Sequence, residues 1–456
     1  MQKLSWGLFF KTIGPLFFLF FAWISSQFPA DSKALLTLGI TLWIAIWWMS
    51  ECIPVAISAL LPLILFPTLN IITFKEASAE YSNETILMFL GGFIIAKMLE
   101  HYGLHRLFAN QMLNTFQLSK KSTILFWMGL AGLISMWISN TSTAVMMIPL
   151  ALAILENERD EGFKKALILG IVYACSIGGM ATLVGTPTNA IFKGMSEELL
   201  GSTVNFWTWM KVGLPISIVL LFICWVLLIL VFKVENGKTE NIHVKTYRIS
   251  TNQRNVLILF GILVVGWISG SLWWYGYLKG MNDTILVLAV VVLAFLIPNE
   301  EGKGSLCTWD LAKNIHWEVL LLFGGGLALA QGIQKSGLAT KVVSILNGVN
   351  TMPIFISLFI LFTIIVILSE IASNVATASI ILPIVAIMEL PTGMDREQLM
   401  IGATLMASVG FALPIATAPN AIGFATETFH SKDMLKAGLL LDLICIIFLV
   451  LINTLL

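Results

Sequence analysis

Hydrophobic positions along this chain form long uninterrupted runs instead of alternating or amphipathic patterns. Most runs approach the roughly 20 residues that an α-helix needs to cross a bilayer. They lie at about 11–29, 34–49, 53–69, 85–104, 122–154, 165–195, 208–234, 252–272, 283–298, 317–338, 353–390, 398–426 and 433–455. The pattern predicts an all-α protein embedded in a lipid bilayer.

Two of the runs, 122–154 and 353–390, are interrupted by polar residues near their middles. A polar interruption at membrane depth has to be satisfied by protein or line a cavity. We interpret both runs as re-entrant hairpins that enter and leave by the same face. About eleven transmembrane helices then remain.

Lysine and arginine placement orients these crossings, because cytoplasmic loops carry an excess of both. Segments 101–121 and 233–254 are rich in Lys and Arg, and the segment 70–84 is acidic. The bias predicts a multi-pass protein with a cytoplasmic N-terminus, and the compact loops without a targeting segment suit the cell inner (plasma) membrane. The first run is interpreted as a span and not as a cleaved signal peptide.

Composition supports the membrane assignment and excludes other classes. Of the 456 residues, 58% are hydrophobic and only 11% are charged, against roughly 25% charged in soluble domains. The net charge is zero and no basic run predicts a nucleic-acid partner. His101 and His105 have helical metal-pair spacing, but Tyr102 stands where a metalloprotease motif needs Glu. We expect no enzyme activity.

The two halves of the chain repeat one another at an almost constant offset. Adding 234 to the positions of Phe89, Gly92, Ala96, Gly103 and Leu104 gives Phe323, Gly326, Ala330, Gly337 and Leu338. The same offset relates residues 139–140 to 373–374, and an offset of 231 relates residues 189–191 to 420–422. With four crossings between the copies, the second copy faces the opposite way, which predicts an inverted-topology repeat.

The repeat divides the chain into four predicted regions. They are 1–84, mainly scaffold spans; 85–234, the first repeat with hairpin 122–154; 235–316, linker and scaffold spans; and 317–456, the second repeat with hairpin 353–390.

Each hairpin carries a polar tripeptide at its interruption, Ser-Asn-Thr at 139–141 and Ser-Asn-Val at 373–375. Two half-helices meeting at such a tip offer free N–H groups at an N-terminus, which suit a carboxylate. They also offer unwound carbonyl oxygens, which suit a hard cation such as sodium. A single tripeptide of this kind is as compatible with contacts between helices, but the symmetric pair favours a ligand site.

A second pair of interruptions lies at 185–189 (Gly-Thr-Pro-Thr-Asn) and 417–420 (Thr-Ala-Pro-Asn). Proline breaks a helix and frees carbonyl groups. The four interruptions predict one site at the membrane midplane with two related cation sites. Glu370 near the second tip is either a proton site or an acceptor for half-helix N–H groups, and Lys97 is expected to extend towards a membrane interface.

At these residues the chain resembles the divalent anion:sodium symporter family over nearly its whole length. The resemblance implies a homodimer in which a transport domain holding both hairpins slides as an elevator. The implied sodium ligands are Ser135, Ser139, Asn140 and Gly185 in the first half, and Ser369, Ala372, Asn374 and Ala416 in the second. The implied substrate contacts are Asn140, Thr141, Thr186 and Pro187 in the first half, and Asn374, Val375, Thr417 and Ala418 in the second.

Val375 and Ala418 depart from the family pattern, where many relatives have Thr and Pro. The resemblance implies secondary active uptake of a small C4 dicarboxylate (succinate, fumarate or malate) with co-transported sodium ions. Sodium-independent dicarboxylate exchange and sodium-coupled sulfate or citrate symport stay open within transport. A passive anion channel, which needs a continuous polar pore, and a membrane-embedded enzyme are the alternatives from other classes.

Overall fold

The structure, a computed structural model, describes residues 2–104, 118–156, 158–238, 249–278, 280–300, 302, 304–341, 353–388 and 394–455. Within these ranges the chain forms twenty α-helices and no strand longer than an isolated bridge, which confirms the all-α prediction. The first ten are α1 Gln2–Gln27, α2 Ser32–Ser50, α3 Val55–Ser58, α4 Leu61–Thr68, α5 Phe74–Glu80, α6 Glu84–His101, α7 Lys120–Ser135, α8 Asn140–Leu155, α9 Glu161–Gly179 and α10 Pro187–Leu200.

The other ten are α11 Phe206–Phe232, α12 Thr251–Ser269, α13 Asp283–Leu296, α14 Trp309–Ala312, α15 Trp317–Lys335, α16 Ile354–Ile371, α17 Asn374–Val385, α18 Arg396–Ala407, α19 Ala418–Phe424 and α20 Ser431–Leu455. His105, the segments 105–117 and 239–248, and the end of the second hairpin at 389–390 lie outside the described residues.

Eight described segments are long and apolar enough to span a bilayer, and four shorter apolar segments accompany them. The predicted count of eleven crossings stays a prediction. One difference from the pattern is α5, which forms within the segment 70–84. Thr73 accepts a hydrogen bond from the Glu76 N–H, and the Glu76 carboxylate accepts from the Thr73 N–H. This capping box starts a short helix where acidic composition indicates only a loop.

The repeated helices α6 and α15 run antiparallel. Phe93, in the middle of α6, packs against His316 at the start of α15. Gln331, towards the end of α15, donates to Glu80 just before α6 at 3.1 Å. Between these contacts the equivalent rings of Phe89 and Phe323 meet edge to face at 5.5 Å.

Glycines let these helices approach their neighbours closely. A side chain at Gly324 would collide with Tyr81, and one at Gly325 would collide with Ala59. These contacts are typical of glycines that pack membrane helices closely.

Helix α9 is the most buried of these eight segments. In its most apolar stretch of 18 residues, 83% of the residues are buried inside the protein. It packs against hairpin helices α7 and α8 and against α11 and α19. The helix is apolar on all sides, as a helix buried in a large core should be. Because α9 ends at Gly179, it places the first interruption in the interior of the molecule.

Candidate anion and cation site

Both hairpin tips are built by a serine at the start of the returning helix. The Ser139 hydroxyl accepts from the Ser142 N–H at 3.2 Å, and the Ser373 hydroxyl accepts from the Ala376 N–H at 3.3 Å. Serine favours this N-cap position because its short side chain satisfies one free N–H. Asn140 therefore begins α8, and the equivalent asparagine begins α17.

Behind each tip, a fully buried serine sits within a cluster of oxygen atoms. Ser135 Oγ lies 2.6 Å from Asn140 Oδ1 and 2.7 Å from the carbonyl oxygen of Cys175. A hydroxyl has one proton to donate, so it can satisfy only one of these two oxygens. Oxygen lone pairs in the cluster therefore remain without a hydrogen-bond donor, which suits the binding of a hard cation.

The second half repeats this cluster, with the serine and the asparagine at equivalent positions. Ser369 Oγ lies 2.9 Å from Asn374 Oδ1 and 2.8 Å from the carbonyl oxygen of Ala407. Asn374 Nδ2 also donates to the Ser408 carbonyl at 3.4 Å. The offset of 234 seen in the sequence is thus a duplication of geometry as well as of residues.

The unwound parts of the broken spans are held open by two equivalent asparagines. Asn189 Nδ2 donates to the carbonyls of Gly179 at 3.1 Å and Thr182 at 2.7 Å. Asn420 Nδ2 donates to the carbonyls of Gly410 at 2.8 Å and Leu413 at 2.9 Å. Each amide replaces helical hydrogen bonds that are lost before the proline, so the break is stable inside the protein.

Glycine at 179 and 185 is required by the contact between the first tip and the first break. A side chain on Gly179 would collide with the Asn140 amide, and one on Gly185 would collide with the Gly179 backbone. In the second half Gly410 lies beside Ser369 and Ala416. The structure thus brings together a serine, an asparagine and one residue of the break in each half, as the sequence predicts.

The remaining predicted residues lie at the same two tips and breaks. Ser139 and Ser373 cap the returning helices, Thr141 is exposed one residue into α8, Val375 is half-buried one residue into α17, and Ala372 is buried just before Ser373; Thr186 and Thr417 precede α10 and α19, which begin at Pro187 and Ala418.

The two halves also contact each other, because Thr188 Oγ1 lies 2.7 Å from Ser408 Oγ. This hydrogen bond joins the first break to the end of α18. The first break and the second half are therefore in direct contact. Among the described residues, no group of three His, Cys, Asp or Glu side chains is placed to hold a metal ion.

Glu370 is the buried carboxylate beside the second cluster. Its two oxygens accept from the N–H groups of Ala412 at 2.7 Å and Leu413 at 2.8 Å. The expected acceptor role is found, but the donors belong to the unwound segment instead of a helix end. Asp442 of α20 accepts from the Phe411 N–H at 3.3 Å on the same segment.

Lys97 of α6 pairs with Glu100, one helical turn further along the helix. Its Nζ lies 3.1 Å from both carboxylate oxygens of Glu100. Glu100 Oε2 in turn accepts from Ser142 Oγ at 3.5 Å. Residues at i and i+3 are neighbours on a helix surface, and Glu100 connects the pair to the first tip. The extension of Lys97 towards a membrane interface stays a prediction.

Helices broken in pairs at oxygen-rich tips, inside an all-helical membrane body, define a secondary transporter. The family described as "Citrate transporter" matches residues 45–398. The sodium-dependent dicarboxylate transporter SdcS of Staphylococcus saprophyticus is 37% identical over 96% of this chain and 89% of that relative. SdcS of Staphylococcus aureus is 36% identical over the same shares of both chains.

A solved structure supports the fold independently of sequence. The YdaH transporter of Alcanivorax borkumensis matches 84% of this chain and 87% of that chain, with a TM-score of 0.60 and 16% identity. The chain belongs to the citrate transporter family, and the predicted resemblance to divalent anion:sodium symporters is confirmed.

Proposed function

We propose that this protein couples sodium influx to the uptake of a C4 dicarboxylate such as succinate, fumarate or malate. Its SdcS relatives are named for sodium-dependent dicarboxylate transport. The observation that carries the proposal is the duplicated cluster of Ser135 with Asn140 and of Ser369 with Asn374. Each cluster holds three oxygens around one hydroxyl proton and therefore suits one sodium ion.

The same tips supply an anion site between the two cations. Asn140 and Asn374 begin helices whose first N–H groups point out of the tip, and helix N-termini attract carboxylates. Thr141 and Val375 follow them, with Thr186 and Thr417 at the two breaks. A dianion at the midplane is costly by itself, and two adjacent sodium ions offset its charge. This mutual dependence couples the two fluxes.

We assign movement to a body formed by hairpins α7–α8 and α16–α17 with the broken spans α9–α10 and α18–α19. This body slides as an elevator against a scaffold that includes α6 and α15, in a homodimer with cytoplasmic N-termini in the plasma membrane. The antiparallel packing of α6 and α15 supports an inverted repeat. Inverted repeats are the usual basis of alternating access.

The test is uptake of labelled succinate by purified protein in liposomes, with sodium outside and potassium inside. Replacing sodium by choline should abolish uptake. Uptake that ignores sodium but requires internal dicarboxylate would establish exchange and reject the coupling. If sulfate or citrate is taken up and succinate is not, the proposed substrate changes from a C4 dicarboxylate to that anion.

Substitutions at the tips test the site itself. Asn140→Ala and Asn374→Ala each remove an oxygen of one cluster and a helix-start contact, so each should lower sodium-driven uptake at least tenfold. Asn314→Ala is the matched control, because Asn314 is exposed and bonds only locally to Asp310. Full uptake by both tip variants would place the site elsewhere.

A further inference from the structure

The ion pair of Lys97 and Glu100 lies beside the site but has no part in either oxygen cluster. Glu100 Oε2 stands 3.1 Å from Lys97 Nζ and 3.5 Å from Ser142 Oγ. Ser142 also receives a hydrogen bond from Ser139 Oγ at 2.9 Å. A charged pair on α6 is thereby connected to the N-cap of α8.

This connection is absent from the second half of the repeat. The offset of 234 places Gln331 and Gln334 opposite Lys97 and Glu100, and Ala376 opposite Ser142. All three equivalents are uncharged, and Ala376 has no hydroxyl to donate. Because the second tip is built without such a pair, the pair is not required to fold a tip.

Stability is also a weak reason for the pair. Its side chains are 30% and 33% exposed, and exposed ion pairs contribute at most about 1 kcal/mol. The position of the pair has a larger electrostatic effect, because the Glu100 carboxylate accepts a hydrogen bond from Ser142, the residue after Thr141. Without a counter-charge, Glu100 would repel an anion held at this tip, and Lys97 cancels that repulsion.

We infer that Lys97 is a specificity-determining residue that balances Glu100, so that a dianion can bind at the first tip. The inference rests on the proposed function for its transported anion. The inference differs from a structural role in predicting that only the lysine change raises the KM, and that the effect depends on the charge of the anion. A structural pair would lower the thermal stability of the ligand-free protein with either single change, because either change leaves one charge unpaired, and it would affect all anions alike.

The experiment compares succinate uptake by Lys97→Met, Glu100→Gln and the double variant. Lys97→Met leaves Glu100 uncompensated, so the succinate KM should rise about tenfold with little change in maximal rate. Glu100→Gln keeps an acceptor for Ser142 and should not raise the KM. The double variant should return to within about twofold of the wild type. An unchanged KM in Lys97→Met, or a double variant as poor as Lys97→Met, overturns the inference.

Inhibition by monomethyl succinate adds a test of charge. This ester carries one negative charge where succinate carries two, so the change in its electrostatic binding free energy should be half as large. Lys97→Met should therefore weaken its inhibition by only about the square root of the succinate effect, roughly threefold. Equal effects on both anions would show a change of shape instead of potential. Lys164→Met and Glu161→Gln are matched controls, because this pair has the same i,i+3 spacing at 2.8 Å near the start of α9.

The outcome can be separated from failure of the proposed function. If wild-type protein takes up citrate or sulfate instead of succinate, the same variants are measured with that anion, and the signs should hold. The thermal stabilisation that the anion gives to purified protein provides a readout without transport. Lys97→Met should need about tenfold more anion for the same shift, and an unchanged requirement would reject the role of Lys97.

Discussion

At the scale of single residues, the two proposed cation clusters are centred on Ser135 and Ser369. Each is fully buried and lies within 2.9 Å of both an asparagine oxygen and a backbone carbonyl oxygen. Ser135→Ala and Ser369→Ala remove one cation ligand from each cluster. The sodium concentration for half-maximal uptake should rise about five- to tenfold in each, the equivalent of one lost hydrogen bond.

The matched control is Thr143→Ala in the same hairpin. Thr143 is fully buried and its hydroxyl has no hydrogen-bond partner among the described residues. Its removal should leave the sodium dependence unchanged. A shift in this control equal to that of Ser135→Ala would mean that hairpin packing, and not ligation, sets the sodium affinity.

Sequence reasoning located the tip residues because polar tripeptides are conspicuous inside apolar runs. It missed Asp442 and the role of Glu100. Asp442 is a single carboxylate in a long apolar stretch, and the segment that it contacts is distant in sequence. Glu100 lies close to Lys97 in the chain, but only the tertiary fold shows that their helix faces Ser142.

At the scale of elements, an ion cluster closes the first hairpin at its open end. Lys120 at the start of α7 lies 2.8 Å from Glu158 and 3.3 Å from Asp160, both just after α8. Burial opposes ionisation of Glu158 and Asp160, but hydrogen bonds from Lys120 and from backbone N–H groups outweigh it. The pKa of each carboxyl is therefore held below its ordinary value.

The cluster predicts a pH-dependent loss of stability. A carboxyl with a lowered pKa stabilises the folded state above its ordinary value, and this contribution is lost as the pH falls through the folded-state pKa. Lys120→Met should lower stability by about 2 kcal/mol at pH 7, measured by thermal unfolding in detergent. The difference from wild type should disappear as the pH falls below the ordinary values of 4.5 and 3.8. A difference that persists there would indicate that the contact of the Lys120 ammonium group with the Phe163 ring contributes instead.

Element prediction succeeded where length and hydropathy decide the outcome, as for α11 and α20. It was less accurate where capping decides, because the capping box at Thr73 starts α5 inside a predicted loop. The long run 53–69 also divides into α3 and α4. Its prolines bring backbone breaks that hydropathy does not record.

At the scale of the whole molecule, the elevator proposal requires α10 to slide past α15. Gly194 of α10 faces Leu327 of α15, and a side chain at Gly194 would lie against that leucine. Gly194→Cys with Leu327→Cys, in a background without native cysteines, should be bridged by mercury(II). Bridging should stop succinate uptake, and excess thiol should restore it, with the single-cysteine variants unaffected. Uptake that continues in the bridged protein would show that the boundary between the moving body and the scaffold does not lie between α10 and α15.

The edge-to-face contact of Phe89 with Phe323 has a consequence for the energy of the cycle. Equivalent residues of an inverted repeat that touch each other lie at the axis relating the two halves. In the proposed elevator cycle each half would exchange its arrangement with the other, and two identical halves would give the inward-facing and outward-facing states equal free energy. The resting preference in that cycle would then be set by positions where the halves have diverged, such as Lys97 and Glu100 against Gln331 and Gln334.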